Sequence, residues 1–225
     1  PSPSRATWGV MTPSALTFSA PQGGPNPVAQ NFTVTNTGGG TLAWSAADDA
    51  AWLSVSPATG SLGAGASGTS TATVDVTGLA AGSYTGTITV SATGAASKTV
   101  AVTLVVNAVP TIGLSTTTLA FNAPLGGPSP SVQTVTVTNT GTGTLNWSAT
   151  EPVAWLSLSP TSGSLAAAAS QPMSAIVDVA GLAPGTYSTT ITVVDPASSN
   201  GTQSVSVTLT ISALPAIGLN PTTMS

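Results

Sequence analysis

The stretch AWLSVSPATGSL at residues 51–62 returns as AWLSLSPTSGSL at 154–165, 103 positions further along the chain. Turn signals cut each copy, Ser56-Pro57 and then Thr59-Gly60 in the first, so the pieces between them are short extended segments. Outward from there, TLAWSA at 41–46 is repeated as TLNWSA at 144–149, and GLAAGSYTGTITV at 78–90 as GLAPGTYSTTITV at 181–193. Beyond Val90 the offset grows to 105, because the second copy has two more residues in the turn around Asp195 to Gly201. A period near 100 residues is too long for a solenoid unit and suits a whole small domain. The chain reads as a tandem array of one module, an organisation that spaces, adheres or assembles more often than it catalyses.

Helical periodicity is missing, and alternation takes its place. Phe32-Thr33-Val34-Thr35 and Val135-Thr136-Val137-Thr138 put apolar side chains on one face and threonines on the other. Residues 71–76, 87–90, 100–106, 176–179, 191–194 and 205–211 read the same way. About seven or eight such strands per copy, separated by Gly/Pro/Asn turns, predict an all-β chain of two tandem immunoglobulin-like antiparallel β-sandwich modules. Trp44 and Trp147 sit mid-strand, where a sandwich takes one large filler. Tyr84 and Tyr187 follow Gly-Ser and Gly-Thr at the start of a late strand, the position of a tyrosine corner, and both rings are expected to be buried.

The expected domains are an N-terminal segment at 1–11, module 1 at 12–110, module 2 at 111–215, and at 216–225 the start of a third module or an exchanged terminal strand. The junction NAVPTIGL at 107–114 recurs as SALPAIGL at 212–219. It holds a proline and no flexible Gly/Ser run, which predicts a stiff, extended rod.

Composition narrows the function. Charged residues are 4% of the chain, the only cations are Arg5 and Lys98, and the net charge is −4. That excludes a basic groove for nucleic acid and a polybasic patch for membranes. No apolar run reaches the roughly 18 residues of a bilayer span, so no membrane insertion is expected. With neither Cys nor His in the sequence, thiolate sites, disulfides and the commonest general base are excluded. A polar, uncharged surface of this kind points to an extracellular or cell-surface location.

The string LTF at 16–18, TVTNTG at 33–38, Trp44, AWLSVSP at 51–57, Gly60, GLAAGSYTGTITV and TVAVTLVV at 99–106 resembles the BACON domain family of bacterial β-sandwiches. The second copy supplies LAF at 119–121, TVTNTG at 136–141, Trp147, AWLSLSP and GLAPGTYSTTITV. The resemblance covers nearly all of both modules, and its most specific element is the spacing from the tryptophan to WLSVSP. It implies an extracellular Ig-like module, for which carbohydrate or mucin binding has been proposed. It carries over no catalytic residue.

Few side chains are candidates for chemistry. Trp44, Trp147, Trp52 and Trp155 can be read as sugar platforms or as core. A module so poor in aromatics needs them inside, and core is the expectation for all four, more firmly for the first two. Trp52 and Trp155 stay as candidate glycan contacts together with Trp8, which has no counterpart in module 2. Asp48 with Asp49, and Glu151, occupy equivalent loops, and Asp75 and Asp178 equivalent VDV segments. These are too few oxygens for calcium and make no carboxylate pair for glycoside hydrolysis. Serine without an activating base is no nucleophile. No catalytic residue, metal or cofactor is therefore expected. Asn31, Asn146 and Asn200 match the N-glycosylation pattern, which arises easily by chance in a chain so rich in Ser and Thr.

The reading that follows is a non-catalytic structural or adhesive array, a stalk or filament subunit of a bacterium or phage. Its expected partner is another copy, or neighbouring modules of a longer chain. Trp8, Ile217 and Leu219 are the candidate assembly contacts, because residues 216–225 carry the sequence of a first strand and little charge opposes association. The alternative is a carbohydrate-binding accessory module, with a glycan as partner.

Overall fold

The computed structural model describes residue 9 and residues 11–215. It divides between Ala108 and Val109 into two compact units. Unit 1 contains β1 (Ala15–Pro21), β2 (Gln30–Thr35), β3 (Leu42–Asp48), β4 (Leu53–Ser56), β5 (Thr59–Leu62), β6 (Ser67–Val74), β7 (Gly82–Ala92) and β8 (Ala95–Asn107). They form one sheet in the order β1-β8-β7-β3-β5 and another in the order β2-β6-β4. Unit 2 contains β9 (Ile112–Leu114), β10 (Thr118–Pro124), β11 (Gln133–Asn139), β12 (Leu145–Thr150), β13 (Leu156–Ser159), β14 (Ser162–Leu165), β15 (Ser170–Val177), β16 (Gly185–Val194) and β17 (Thr202–Ser212). Its sheets run β10-β17-β16-β12-β14 and β13-β15-β11-β9. There is no helix among the described residues. Each unit is an Ig-like β-sandwich whose strand pairs are antiparallel except β1–β8 and β10–β17, which are parallel.

Alternation along each strand separates core from surface. In β1 and β10, Leu16, Phe18 and Ala20, and Leu119, Phe121 and Ala123, point inward while their neighbours are exposed. Two strands are shorter than their hydrophobic pattern suggests. The apolar series runs to Val76 and Val179, but β6 stops at Val74 and β15 at Val177. There Asp75 and Asp178 each accept a hydrogen bond from the backbone N–H two residues on, from Thr77 and Ala180, at 3.0 Å. This local turn competes with the ladder and ends it.

The mid-strand tryptophans are core, with Trp44 5% and Trp147 1% exposed. Each has a glycine as its cross-strand partner, Trp44 opposite Gly60 and Trp147 opposite Gly163. The indole lies across that glycine, since a Cβ at Gly60 would meet Trp44 Nε1 at 2.6 Å and one at Gly163 would meet Trp147 Nε1 at 2.7 Å. The glycine is thus half of a packing pair. Gly163→Ala is expected to destabilise unit 2 by about 1–3 kcal/mol through overpacking. An unchanged denaturation midpoint would show that the indole moves aside freely.

One pair differs between the two cores. In unit 1 Phe32 faces Ser70 across β2 and β6; in unit 2 the same positions hold Val135 and Met173 across β11 and β15. All four side chains are fully buried. A large residue has changed strands and a small one has taken its place, which keeps the volume of the layer nearly constant. Ser70 stays satisfied by donating to the Pro57 carbonyl at 2.9 Å.

Candidate functional site

Asn36 and Asn139, from the repeated NTG turn, are fully buried polar side chains. Asn36 Nδ2 donates to the carbonyls of Gly40, Leu62 and Gly63, and its Oδ1 accepts from Gly38 N. Asn139 Nδ2 donates to Gly143 and Leu165, and its Oδ1 accepts from Gly141 N at 3.1 Å and Thr111 N at 3.3 Å. The backbone of each asparagine also bonds in both directions to the turn before β6 or β15. One side chain therefore ties together two loops distant in sequence. This is structural work, and it turns the NTG motif from a loose surface turn into a buried knot.

In unit 2 the same end grips the segment that enters the module. Val109 N donates to Thr142 Oγ1 at 3.1 Å, and the Val109 carbonyl accepts from Thr142 N at 2.9 Å and from Thr142 Oγ1 at 3.4 Å. Asn200 pairs with Ile112 as a strand residue would, accepting from its N–H at 3.0 Å and donating to its carbonyl at 2.8 Å. Ser199 N donates to the Pro110 carbonyl at 2.9 Å. The turn carrying Asn200 and Ser199 is the one that is longer in the second copy. Asp195 shapes it while 3% exposed, accepting from Asn146 N at 2.8 Å and Ala197 N at 2.9 Å. Asn200 thus has its side-chain amide committed to the backbone. Asn31 accepts from Thr71 and Asn146 from Ser164.

In each unit, taken by itself, one further tryptophan packs at a pole of the sandwich, Trp52 in unit 1 and Trp155 in unit 2. Trp52 and Trp155 are half-buried, packed edge-on against Tyr84 and Tyr187 at centroid distances of 6.3 and 6.4 Å. The tyrosines are half-buried too, a departure from the buried rings expected, because each ring spans from the core edge to the loop where its hydroxyl donates to a carbonyl. Those acceptors are Ala80 and Ala183, at 2.8 and 3.0 Å. Beside Trp52 is a depression of about 180 Å³ lined also by Ala51, Asp75, Thr77 and Leu79. Hydrogen bonds from the Thr77 backbone and hydroxyl, and from the Asn26 side chain, hold the Asp75 carboxyl below its ordinary value. Its hold on the turn is present above the unfolded carboxylate pKa and is lost as pH falls through the lowered one, so it is complete at neutral pH. In unit 2 an open depression of about 440 Å³ lies between Leu125, Gly127, Ser129 and Asp178, Leu182.

Chemically these poles offer one carboxylate each, an aromatic edge and backbone groups. That suits weak contact with a neutral polar ligand and lacks the second carboxylate of glycoside hydrolysis. Among the described residues no three His, Cys, Asp or Glu side chains gather as metal ligands would. Of the candidate contacts, Trp8, Ile217 and Leu219 lie outside the described residues. The structural roles of Asp195, Asn200 and the glycines under the indoles escaped the sequence reading. The one available signal was the longer turn of the second copy.

A family model described as a viral BACON domain matches residues 9–107 and again 112–212. No curated protein matches the chain. Similar solved structures are distant. A protein of unknown function from Porphyromonas gingivalis W83 is 15% identical over 89% of this chain and 98% of its own, with a TM-score of 0.41. Extracellular cadherin domains of a mouse clustered protocadherin are 10% identical over 92% of this chain and 68% of theirs, with a TM-score of 0.49. A Bacteroides ovatus GH5 xyloglucanase in complex with a heptasaccharide is 21% identical over 48% of this chain and 20% of its own, with a TM-score of 0.31.

Proposed function

Because the chain belongs to the viral BACON domain family, whose Ig-like β modules are typically non-catalytic, we propose that it is a structural and adhesive module array working outside the cell or virion, as a stalk or filament subunit joined end to end through its terminal segments. The observation that carries this reading is the surface. No described aromatic side chain is exposed, and the exposed large apolar residues are single aliphatics, Val28, Val105, Val132, Ile176 and Leu214. The outward faces are otherwise mostly threonine, serine, alanine and glycine, which suits spacing more than recognition. The passage between units supports it as well. Asn107 accepts from Gln22 N inside unit 1 and Val109 accepts from Thr142 N inside unit 2, leaving Ala108 as the one residue between these anchors.

Electron microscopy and light scattering of the purified chain test the proposal. Polymers are expected from the intact chain and not from one lacking residues 216–225, with both units still folded in the truncated form. An intact chain that stays monomeric at high concentration, or a truncated one that still polymerises, overturns it.

The half-buried Trp52 beside Asp75 favours one second reading, a glycan contact at that pole. On a glycan array or by calorimetry the two-module chain should bind weakly or not at all. A micromolar dissociation constant lost in Trp52→Ala or Trp155→Ala would put the glycan reading first.

A further inference from the structure

We propose that each unit is a mechanical clamp, built so that tension along the chain is met by the parallel pair of its first long strand and its last. In unit 1, β1 runs parallel to β8, in register from Ala15 opposite Ala101 to Pro21 opposite Asn107. In unit 2, β10 runs parallel to β17, from Thr118 opposite Ser206 to Pro124 opposite Ser212. The chain comes into the pair at the start of β1 and leaves it at the end of β8. Pulling on the two ends draws these strands in opposite directions along their common axis. Every cross-strand hydrogen bond is then strained at once, whereas strands peeled apart sideways lose their bonds one at a time. An antiparallel pair of terminal strands, entered and left at one end, would be peeled by the same pull.

Further details fit a load-bearing pair. The ladder is framed at both ends by the same extra bonds in each unit. Ala101 N donates to the Ser14 carbonyl and Gln22 N to the Asn107 carbonyl in unit 1; Ser206 N donates to Thr117 and Leu125 N to Ser212 in unit 2. In unit 1 the Asn107 side chain adds a bond to Ser19 Oγ at 2.9 Å. One face of the ladder is dry, with Phe18 opposite Leu104 and Phe121 opposite Leu209, all buried. Water cannot reach that side to replace a strained bond. No cysteine exists to bridge the sheets, so hydrogen bonds and packing alone carry the load. The short pairing upstream, β9 on β11 in unit 2 and the Thr12–Thr33 bridge in unit 1, stands in series before the clamp and yields first.

This property belongs to each unit and holds whether or not the chain polymerises. Single-molecule force spectroscopy on the full chain tests it. With handles at the two chain ends, two main ruptures are expected, each preceded by a short extension. Each releases roughly 300 Å of chain, the length of the stretch from Ala15 to Asn107 at about 3.3–3.6 Å per residue. The comparison uses handles on S14C and T99C, both exposed positions near the same end of the β1–β8 pair and unique in a cysteine-free chain. Unit 1 should then yield at a force several-fold lower at the same loading rate. Equal forces in the two directions, or end-to-end unfolding without discrete ruptures, would overturn the clamp.

Discussion

Trp147→Ala is expected to remove about 3–5 kcal/mol from the stability of unit 2. A domain of this size holds only about 5–15 kcal/mol, so the loss is a large share. Two effects oppose one another at this residue. The indole is almost wholly buried, and burying an area of about 150–250 Å² at about 25 cal/mol per Å² contributes on the order of 5 kcal/mol. Against this, its Nε1 is buried with no hydrogen-bond partner, as is that of Trp44, at a cost of about 1–3 kcal/mol. Burial wins, and alanine forfeits it. Trp147→Phe separates the terms, since it discards the unpaired donor and keeps most of the ring, and its loss should be clearly smaller. Urea denaturation of both variants measures the difference. A loss below about 1 kcal/mol for the alanine variant would mean that the ring does not fill the core.

Asn139→Ala is expected to cost about as much without removing any sizeable apolar surface. The substitution strips partners from the carbonyls of Gly143 and Leu165 and from the N–H of Gly141. The Leu165 bond is buried and those at Gly143 and Gly141 are part-buried; a buried group left unpaired costs about 1–3 kcal/mol and a part-buried one less, so a total of about 3–5 kcal/mol follows. Asn139→Asp should be no better, because it turns an oxygen toward those carbonyls where a donor stood. Amide hydrogen exchange adds a spatial check, with protection lost first at 140–143 and 166–169. A change under about 1 kcal/mol with exchange unaltered would show that solvent takes over the role of the side chain.

Much of the architecture was legible because it depends on which face a residue occupies, and alternation reports that directly. The buried Trp44 and Trp147 belong to this class, while the 103-residue register and the tyrosine corners, whose hydroxyls turn to the backbone at Ala80 and Ala183, were legible from the repeated strings. What escaped depends on pairs distant in sequence. Asn139 meets Leu165 across 26 residues and Asn200 meets Ile112 across 88, and no local pattern announces either. Gly60 and Gly163 read as turn residues because glycine usually is one; only the ring lying across them shows a different reason. The ends of β6 and β15 were misjudged because apolar periodicity continues through Val76 and Val179 while the Asx turns at Asp75 and Asp178 have already taken the backbone away.

The exchanged pair, Phe32 with Ser70 and Val135 with Met173, bears on how such a chain escapes confusion during synthesis. Neighbouring modules of similar sequence emerge one after the other, and a strand of one can pair with the sheet of its neighbour before either has closed. A crossed product would set Phe32 against Met173, too bulky for the layer, or Val135 against Ser70, leaving a void beside a polar group. Overpacking costs about 1–3 kcal/mol, and a cavity adds a cost of its own. Both hybrids are penalised while each true module keeps its full packing. A strand exchanged between the copies would thus be disfavoured by the packing of this one interior pair.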